Sequence, residues 1–309
     1  MKISYQHDYY VQLPEGHPFP MGKFPALYEM LLDRGVTTPE ETQQPEEASR
    51  ELLSLAHQRD YLDKLFGFSL SVHEERKIGL PWTEALLVRS RRAVTGTLLA
   101  ARAALEDGMA GNCGGGTHHA MPDHGRGFCI FNDVAIAAKQ LLDEGLVGRV
   151  LIIDLDVHQG DGTATIFRDE PRVFTFSMHG DRNYPARKPP SDVDVALPEG
   201  TTDFDYLDTL RMHLPEVIRR AQPDIVFYLG GVDVHADARF GHFELSEDGI
   251  RRRDRYVIES IAGRGLPLVL TLAGGYAATP ERTAELHAIM CEEALAWQQR
   301  QGRVRAVGD

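Results

Sequence analysis

The chain predicts an α/β fold: one parallel β-sheet flanked by helices, read as a single domain over residues 1–309. Two observations carry that expectation. Short apolar runs alternate with longer amphipathic ones from about residue 132 to residue 300, and most of the short runs lack strict polar alternation. Strands buried on both faces read as near-continuous apolar segments, and a strand–helix–strand order builds a parallel sheet by crossover connections. The length agrees, because α/β units of this size occur as one domain.

Taken in order, the N-terminal MKISYQHDYY has no apolar leader core and reads as a first strand. The segment 90–108 (SRRAVTGTLLAARAALEDG) has helical spacing and ends on Gly108, a helix stop. A helix follows over 132–144. Strands are expected at 149–155 (RVLIIDL), 172–178 (RVFTFSM), 224–229 (DIVFYL) and 266–272 (LPLVLTL), with Gly, Pro or charged residues close to the ends of each. Helices are expected at 206–221, 246–263 and 280–300. The segment 182–200, with four prolines, reads as the longest surface loop.

Composition narrows the function classes. With 42% hydrophobic and 26% charged residues and no low-complexity tract, collagen-like and disordered classes are excluded. No apolar run approaches the ~20 residues that span a bilayer. The net charge of -13 repels phosphate backbones and anionic lipid, so nucleic acid and membrane are not expected partners, whereas a basic peptide or polyamine would be attracted. Cys113, Cys129 and Cys291 form no C-x-x-C, which points to a reducing, cytoplasmic setting without disulfides.

The chemistry concentrates at expected strand ends. In LIIDLDVHQGDG (151–162) an apolar strand runs into Asp154, Asp156 and His158 at spacing two, so an extended chain points all three to one side. Open α/β sheets bind ligands at such carboxyl ends, and two carboxylates with an imidazole suit a divalent metal. The same D-x-D also opens a phosphatase of the haloacid-dehalogenase type. In DIVFYLGGVDVHAD (224–237) a second strand ends near Asp233. Asp156, His158 and Asp233 make three protein ligands and leave a coordination position open, as catalytic zinc requires. Such a metal polarises a carbonyl and lowers the pKa of its bound water to roughly 7.

The glycine-rich CGGGTHHAMPDHGRGFC (113–129) lacks phosphate-loop spacing but carries His118 and His119. Asp154 and Asp161 are spare acids, each able to accept from one imidazole and fix its tautomer. One histidine then serves as a base and the pair relays the proton to a leaving amine. In LTLAGGYAATP (270–280), Tyr276 follows a glycine pair at a strand end, where its hydroxyl can stabilise an oxyanion.

The ordered set GGGTHHA, GRGFCIFND, LIIDLDVHQGDGTATIF, FSMH, GGVDVHAD and AGGY resembles the histone deacetylase and deacetylase-like amidohydrolase superfamily. The likeness runs from about Pro20 to about Leu295. PMGKFPALYEML and GLPWTEALLVRS are most similar to bacterial proteins related to class IV deacetylases. The resemblance implies a three-layer arginase/deacetylase-type fold and Zn²⁺, with Fe²⁺ as the alternative, on Asp156, His158 and Asp233. It implies His119 as general base, His118 as its electrostatic partner, Asp161 and Asp154 as their respective hydrogen-bond partners, and Tyr276 as the carbonyl-polarising group. Gly127 would offer its carbonyl to the substrate amide. Phe128 and Tyr184 would form opposite walls of an acyl-lysine tunnel, the latter where many members have Phe. A structural K⁺ would involve Asp154, Asp156, His158, Ser177 and Met178.

The expected reaction is hydrolysis of acetyl- or longer acyl-lysine in a protein or peptide, with acetylpolyamine or another small amide as the alternative. A phosphatase would leave His118, His119, Asp233 and Tyr276 without roles, and a dimetal ureohydrolase would need further Asp or His ligands. A non-enzymatic acyl-lysine reader would be expected to lack a ligand or Tyr276. Phe240 is expected on the pocket floor or wall, limiting acyl length. The run RRRDR (251–255) reads as a solvated helix face. His7, His17, His57, His73, His213, His242 and His287 carry no assigned role.

Overall fold

The computed structural model describes residues 1–308, with side chains through residue 302. The four apolar runs become β4 (Val150–Asp154), β5 (Val173–Gly180), β7 (Ile225–Leu229) and β8 (Leu268–Thr271). Every residue of β4, β7 and β8 is buried, which is why these segments show no polar alternation. Each fully buried Val, Leu, Ile or Phe contributes about 1.5–3 kcal/mol relative to exposure.

The sheet also takes in β1 (Ile3–Ser4), β2 (Thr42–Gln43), β3 (Met109–Asn112) and β6 (Val193–Leu197), in the order β2-β1-β3-β8-β7-β4-β5-β6. All neighbouring pairs are parallel. β6 corrects the expectation of an unbroken loop over 182–200. Val193, Val195 and Leu197 alternate toward the protein while Asp194 is exposed, giving a half-buried edge strand that four nearby prolines disguise. β3 is only four residues long, with Ala110 and Gly111 at its centre, so no periodicity marks it.

Helices flank the sheet: α1 (Lys23–Asp33), α2 (Arg50–Leu53), α3 (Arg59–Phe66), α4 (Val72–Ile78), α5 (Glu84–Asp107), α6 (Asp133–Asp143), α7 (Asp161–Phe167), α8 (Asp203–Ala221), α9 (Glu247–Ala262) and α10 (Pro280–Gly308). α5 packs with α6 and α6 with α7, while α1, α10, α9 and α8 pack in succession. α5 starts where the Thr83 hydroxyl accepts from the Leu86 amide, and stops at left-handed Gly108. α1 to α4 and α7 were not anticipated; most are too short to show a helical period. Among the described residues no helix is long and apolar enough to cross a membrane.

Pairing register positions the site. Asp154 pairs with Leu229, Leu229 with Thr271, and Thr271 with Asn112. The four adjacent strands β3, β8, β7 and β4 therefore end in one row, and the loops that follow them emerge side by side.

Candidate active site

Each of those four loops delivers part of one cluster. β4 stops at Asp154, so the extended geometry that the spacing suggested does not continue. The chain turns instead, with the Asp156 amide donating to Asp154 Oδ1 (3.2 Å) and the His158 amide to Asp156 Oδ1 (2.8 Å). His158 Nδ1 then lies 3.0 Å from Asp156 Oδ1 and 3.1 Å from Asp233 Oδ2. Donor atoms of Asp156, His158 and Asp233 all lie within 4.8 Å of one another, and all three residues are buried. The Val157 amide donates to Asp233 Oδ1 (3.1 Å) and the Gly274 amide to Asp156 Oδ2 (2.6 Å), fixing both carboxylates from neighbouring loops. A Cβ at Gly274 would collide with Asp233 Oδ2, so this approach requires glycine.

Two buried carboxylates side by side are poorly tolerated without a cation. Burial and the neighbouring Asp156 push Asp233 up. Burial pushes His158 down, yet hydrogen bonds to Asp156 and Asp233 outweigh it and raise the imidazole to about 10. The trio thus holds a proton where a divalent cation would serve, and an oxygen–oxygen–nitrogen donor set fits Zn²⁺ or Fe²⁺.

The loop after β3 carries the histidine pair. Asp133 pins it by accepting from the Gly116 amide (3.0 Å) and the Thr117 amide (2.7 Å). Neutral His57 braces the same loop, bonding the Met121 carbonyl (2.9 Å) while accepting from the Asn132 amide (2.9 Å). His118 Nδ1 is 2.7 Å from Asp154 Oδ2, and His119 Nδ1 is 2.6 Å from Asp161 Oδ1. The rings lie 4.1 Å apart. Their environments diverge. Burial pushes His118 down, but Asp154 and Asp156 raise it to about 9. Burial and the charge on His118 depress His119 to about 4, despite Asp161.

Gly127 adopts a left-handed φ of 55°, and a Cβ there would sit 2.7 Å from the His119 ring. Phe128 and Tyr184 line an outer opening of about 420 Å³ together with Phe240. Phe240 packs edge-on against Tyr276 (5.0 Å) on the wall of this opening, and it is absent from the lining of the inner chamber. Tyr184 stands edge-on to His119 (4.9 Å). Burial, with Asp233 and Asp156 nearby, pushes the Tyr276 phenol well above its ordinary value, so it remains a donor at neutral pH. An inner chamber of about 40 Å³ lies beyond, and both cavities are bordered by His119, Gly127, Phe128, His158 and Tyr276. The register places Asp154 beside Ser177, with Met178 next; the Ser177 hydroxyl is engaged with His179 Nδ1 (2.9 Å).

Several supporting residues escaped the sequence reading. Buried Lys23 and Arg89 line the inner chamber; only the PMGKFP segment hinted at the first. Arg126 Nη1 reaches Asp161 (2.9 Å), and its Nε bonds the Tyr184 hydroxyl. RRRDR is a correction. Arg253 and Asp254 are fully buried, and Arg253 donates to the Gly231 carbonyl (2.6 Å) and to that of Leu155 (3.4 Å). It pairs with Asp254 (2.9 Å), so one arginine steadies both ligand-bearing turns. A helix whose charged run has an inward face cannot be told from a solvated one by composition.

Comparison with known proteins gives the family and the fold. Residues 17–292 match the family model described as the histone deacetylase domain. The chain belongs to the histone deacetylase family. It is 46% identical over 275 residues to an uncharacterised protein of Picosynechococcus sp., covering 89% of this chain and 92% of that one. Histone deacetylase 2 of Arabidopsis thaliana is 32% identical over 289 residues, covering 89% of this chain and 74% of the relative. The acetoin utilization protein AcuC of Staphylococcus aureus is 34% identical over 241 residues, 71% of this chain and 62% of AcuC. The crystal structure of the HDA15 HD domain superposes with a TM-score of 0.78 at 20% identity, covering 96% of this chain and 91% of that one, and shows the same α/β/α fold. Family membership supports a hydrolase of the deacetylase, amidohydrolase kind.

Proposed function

We propose that the protein hydrolyses N-acyl-lysine amides, preferring short acyl groups, with the metal held by Asp156, His158 and Asp233. One observation carries this reading: His158 of the three-residue donor cluster, His119 of two oppositely tuned His–Asp pairs and the Tyr276 phenol all border one junction between a tunnel and a chamber. A divalent ion there, Zn²⁺ or Fe²⁺, supplies Lewis acidity to the amide carbonyl and to water.

The chain's own groups divide the remaining work. Asp161 accepts from His119 Nδ1–H, which leaves Nε2 free on a neutral ring to take a proton from the attacking water. His118, held cationic by Asp154, balances the negative charge that develops and helps return a proton to the departing amine. The Tyr276 hydroxyl donates to the carbonyl oxygen as it becomes an oxyanion. Gly127 offers its carbonyl to the substrate N–H, and Phe128 with Tyr184 encloses the lysine stem. The inner chamber of about 40 Å³ holds roughly three water-sized groups, which supports acetyl over long fatty-acyl chains. We also assign a structural K⁺ to Asp154, Asp156, His158, Ser177 and Met178, a class IV-like affinity within the family, and a reducing cytoplasmic setting in keeping with three buried free cysteines.

Amine release from one peptide bearing acetyl-, octanoyl- or myristoyl-lysine, alongside acetylputrescine, tests the proposal. The expected order is acetyl, octanoyl, myristoyl, with Tyr276→Phe lowering kcat by about 10²–10³. Turnover of acetylputrescine alone would move the substrate to polyamines. Silence on all four with metal bound would remove the lysine assignment.

A further inference from the structure

The net charge of -13 describes the whole chain, but not the opening of this site. Arg76, Lys77, Arg182 and His242 line the outer opening, and no carboxylate does. Arg239 adds a fifth basic group, stacked over the Phe240 ring of the same opening (5.4 Å). These groups come from three separate segments: the last turn of α4, the loop after β5 and the loop after β7. Some surface arginines elsewhere are neutralised, as in Arg102–Glu144 (2.6 Å), Arg172–Glu170 (2.7 Å) and Arg282–Glu247 (2.8 Å), whereas others such as Arg211 and Arg220 stand singly and are not gathered around a cavity. Among the described residues, Arg76, Lys77, Arg182 and Arg239 have no such ion pair. Glu74, on α4 itself, is already taken by Lys64 (2.6 Å) and by the Ser71 amide (2.8 Å). Arg76 and Lys77 also offset the carbonyl end of α4, but Arg182 and Arg239 stand on loops where no helix end calls for them.

We infer that the acyl-lysine enters on an acidic peptide segment, its Asp or Glu side chains on either side of the lysine meeting these cations; this rests on the deacylase reading above. An opening of one sign with low-dielectric walls focuses its field and raises the local concentration of the opposite charge. The field acts within a Debye length, roughly 10 Å at 0.1 M salt, so more remote acids are screened; Glu75, Asp181 and Asp237 neighbour Arg76, Arg182 and Arg239 in the chain, but none of them lines the opening. The four cations other than His242 are spread over three segments, and Arg76, Lys77, Arg182 and Arg239 are all exposed. That distribution suits charges spaced along a chain better than one small anion, which calls for convergent buried donors.

Three peptides with one acetyl-lysine, flanked on both sides by Glu, Gln or Lys, test this on the full-length protein. Both kcat/KM and binding by fluorescence anisotropy are read. The Glu peptide is expected to exceed the Lys peptide about tenfold at low salt, the ratio approaching one near 0.5 M salt. The combined Arg76→Glu, Lys77→Glu, Arg182→Glu variant should reverse the order, and the single Arg182→Gln variant should reduce the ratio if the triple variant does not fold. Arg211→Glu, exposed on α8 outside the opening's lining, should leave the ratio unchanged. Equal or better handling of the Lys peptide by the unmodified protein overturns the inference. An acetyl-lysine reporter without flanking residues separates the two readings: if it is not cleaved the deacylase assignment fails, while the anisotropy ratio still decides the charge preference.

Discussion

The floor and the rim of the site are built on opposite principles. On the floor, Asp156, His158, Asp233, His118, Asp154, His119 and Asp161 are buried and held by short, mutually constraining hydrogen bonds at strand ends. At the rim, Arg76, Lys77 and Arg182 are exposed and lie on a helix end and loops. The floor is rich in carboxylates, the rim in cations. A group that must hold or move a proton gains from a fixed low-dielectric setting, because small displacements there change its charge state. A group that selects a substrate by charge acts through longer-range fields and tolerates mobility. On the proposed reading, the chemistry sits on rigid strand termini and the selection on the segments that vary most easily.

If that division is right, floor substitutions should be far more damaging than rim ones. On the proposed reading, Asp233→Asn takes the charge from one of the three metal donors. Metal retention and turnover should fall by more than the roughly 10–100-fold that loss of a supporting partner entails, as measured by metal content and amine release. Retained metal with near-normal turnover would break the comparison. His119→Ala should lower kcat by about 10²–10⁴ while leaving metal content unchanged. A loss of metal instead would make His119 a ligand rather than a base.

The brace beneath the floor gives a pH signature. His57 is depressed by burial to about 4, against 6.5 when free; the Met121 carbonyl favours the proton without outweighing burial, and the Asn132 amide needs an unprotonated Nε2 as its acceptor. Between those values the unfolded chain binds the extra proton, so stability is full above pH 6.5 and declines as pH falls toward 4. The integrated effect is on the order of 3 kcal/mol. Denaturant unfolding across this window should show His57→Gln with a slope shallower by about one proton; an unchanged slope would remove His57 as the source. Smallest of all, Phe240→Ala on the wall should alter KM for the peptide by a few-fold without widening acyl-length preference, since Phe240 does not line the inner chamber. A gain on octanoyl-lysine would place it on the acyl path instead.

The central strands were legible because burial on both faces leaves an apolar run with no alternation. β6 was not, since its prolines outweighed a three-residue alternation at Val193, Val195 and Leu197. The residues of the candidate site were legible as a group because Asp, His and Tyr after apolar runs have few structural reasons to be there. Their supports were less so: Arg253 sits in a charged run, and only packing reveals that it faces the Leu155 and Gly231 carbonyls rather than water. The floor reading drew on local spacing, whereas the rim depends on three segments remote in sequence.

What the amino-acid order determined by itself was the kind of structure and the kind of chemistry. Hydrophobic period dictated parallel strands and helices, and residue type at strand ends singled out the groups that the proposed reading uses as donors, bases and an oxyanion partner. What only the tertiary structure decided was coincidence in space. The row Asp154, Leu229, Thr271 and Asn112 brings four loops to one level, and β4's turn, not its extension, aims Asp156 and His158. Which charges line the opening was likewise decided there, against the net charge, because a composition records only how many charges there are and not where they stand.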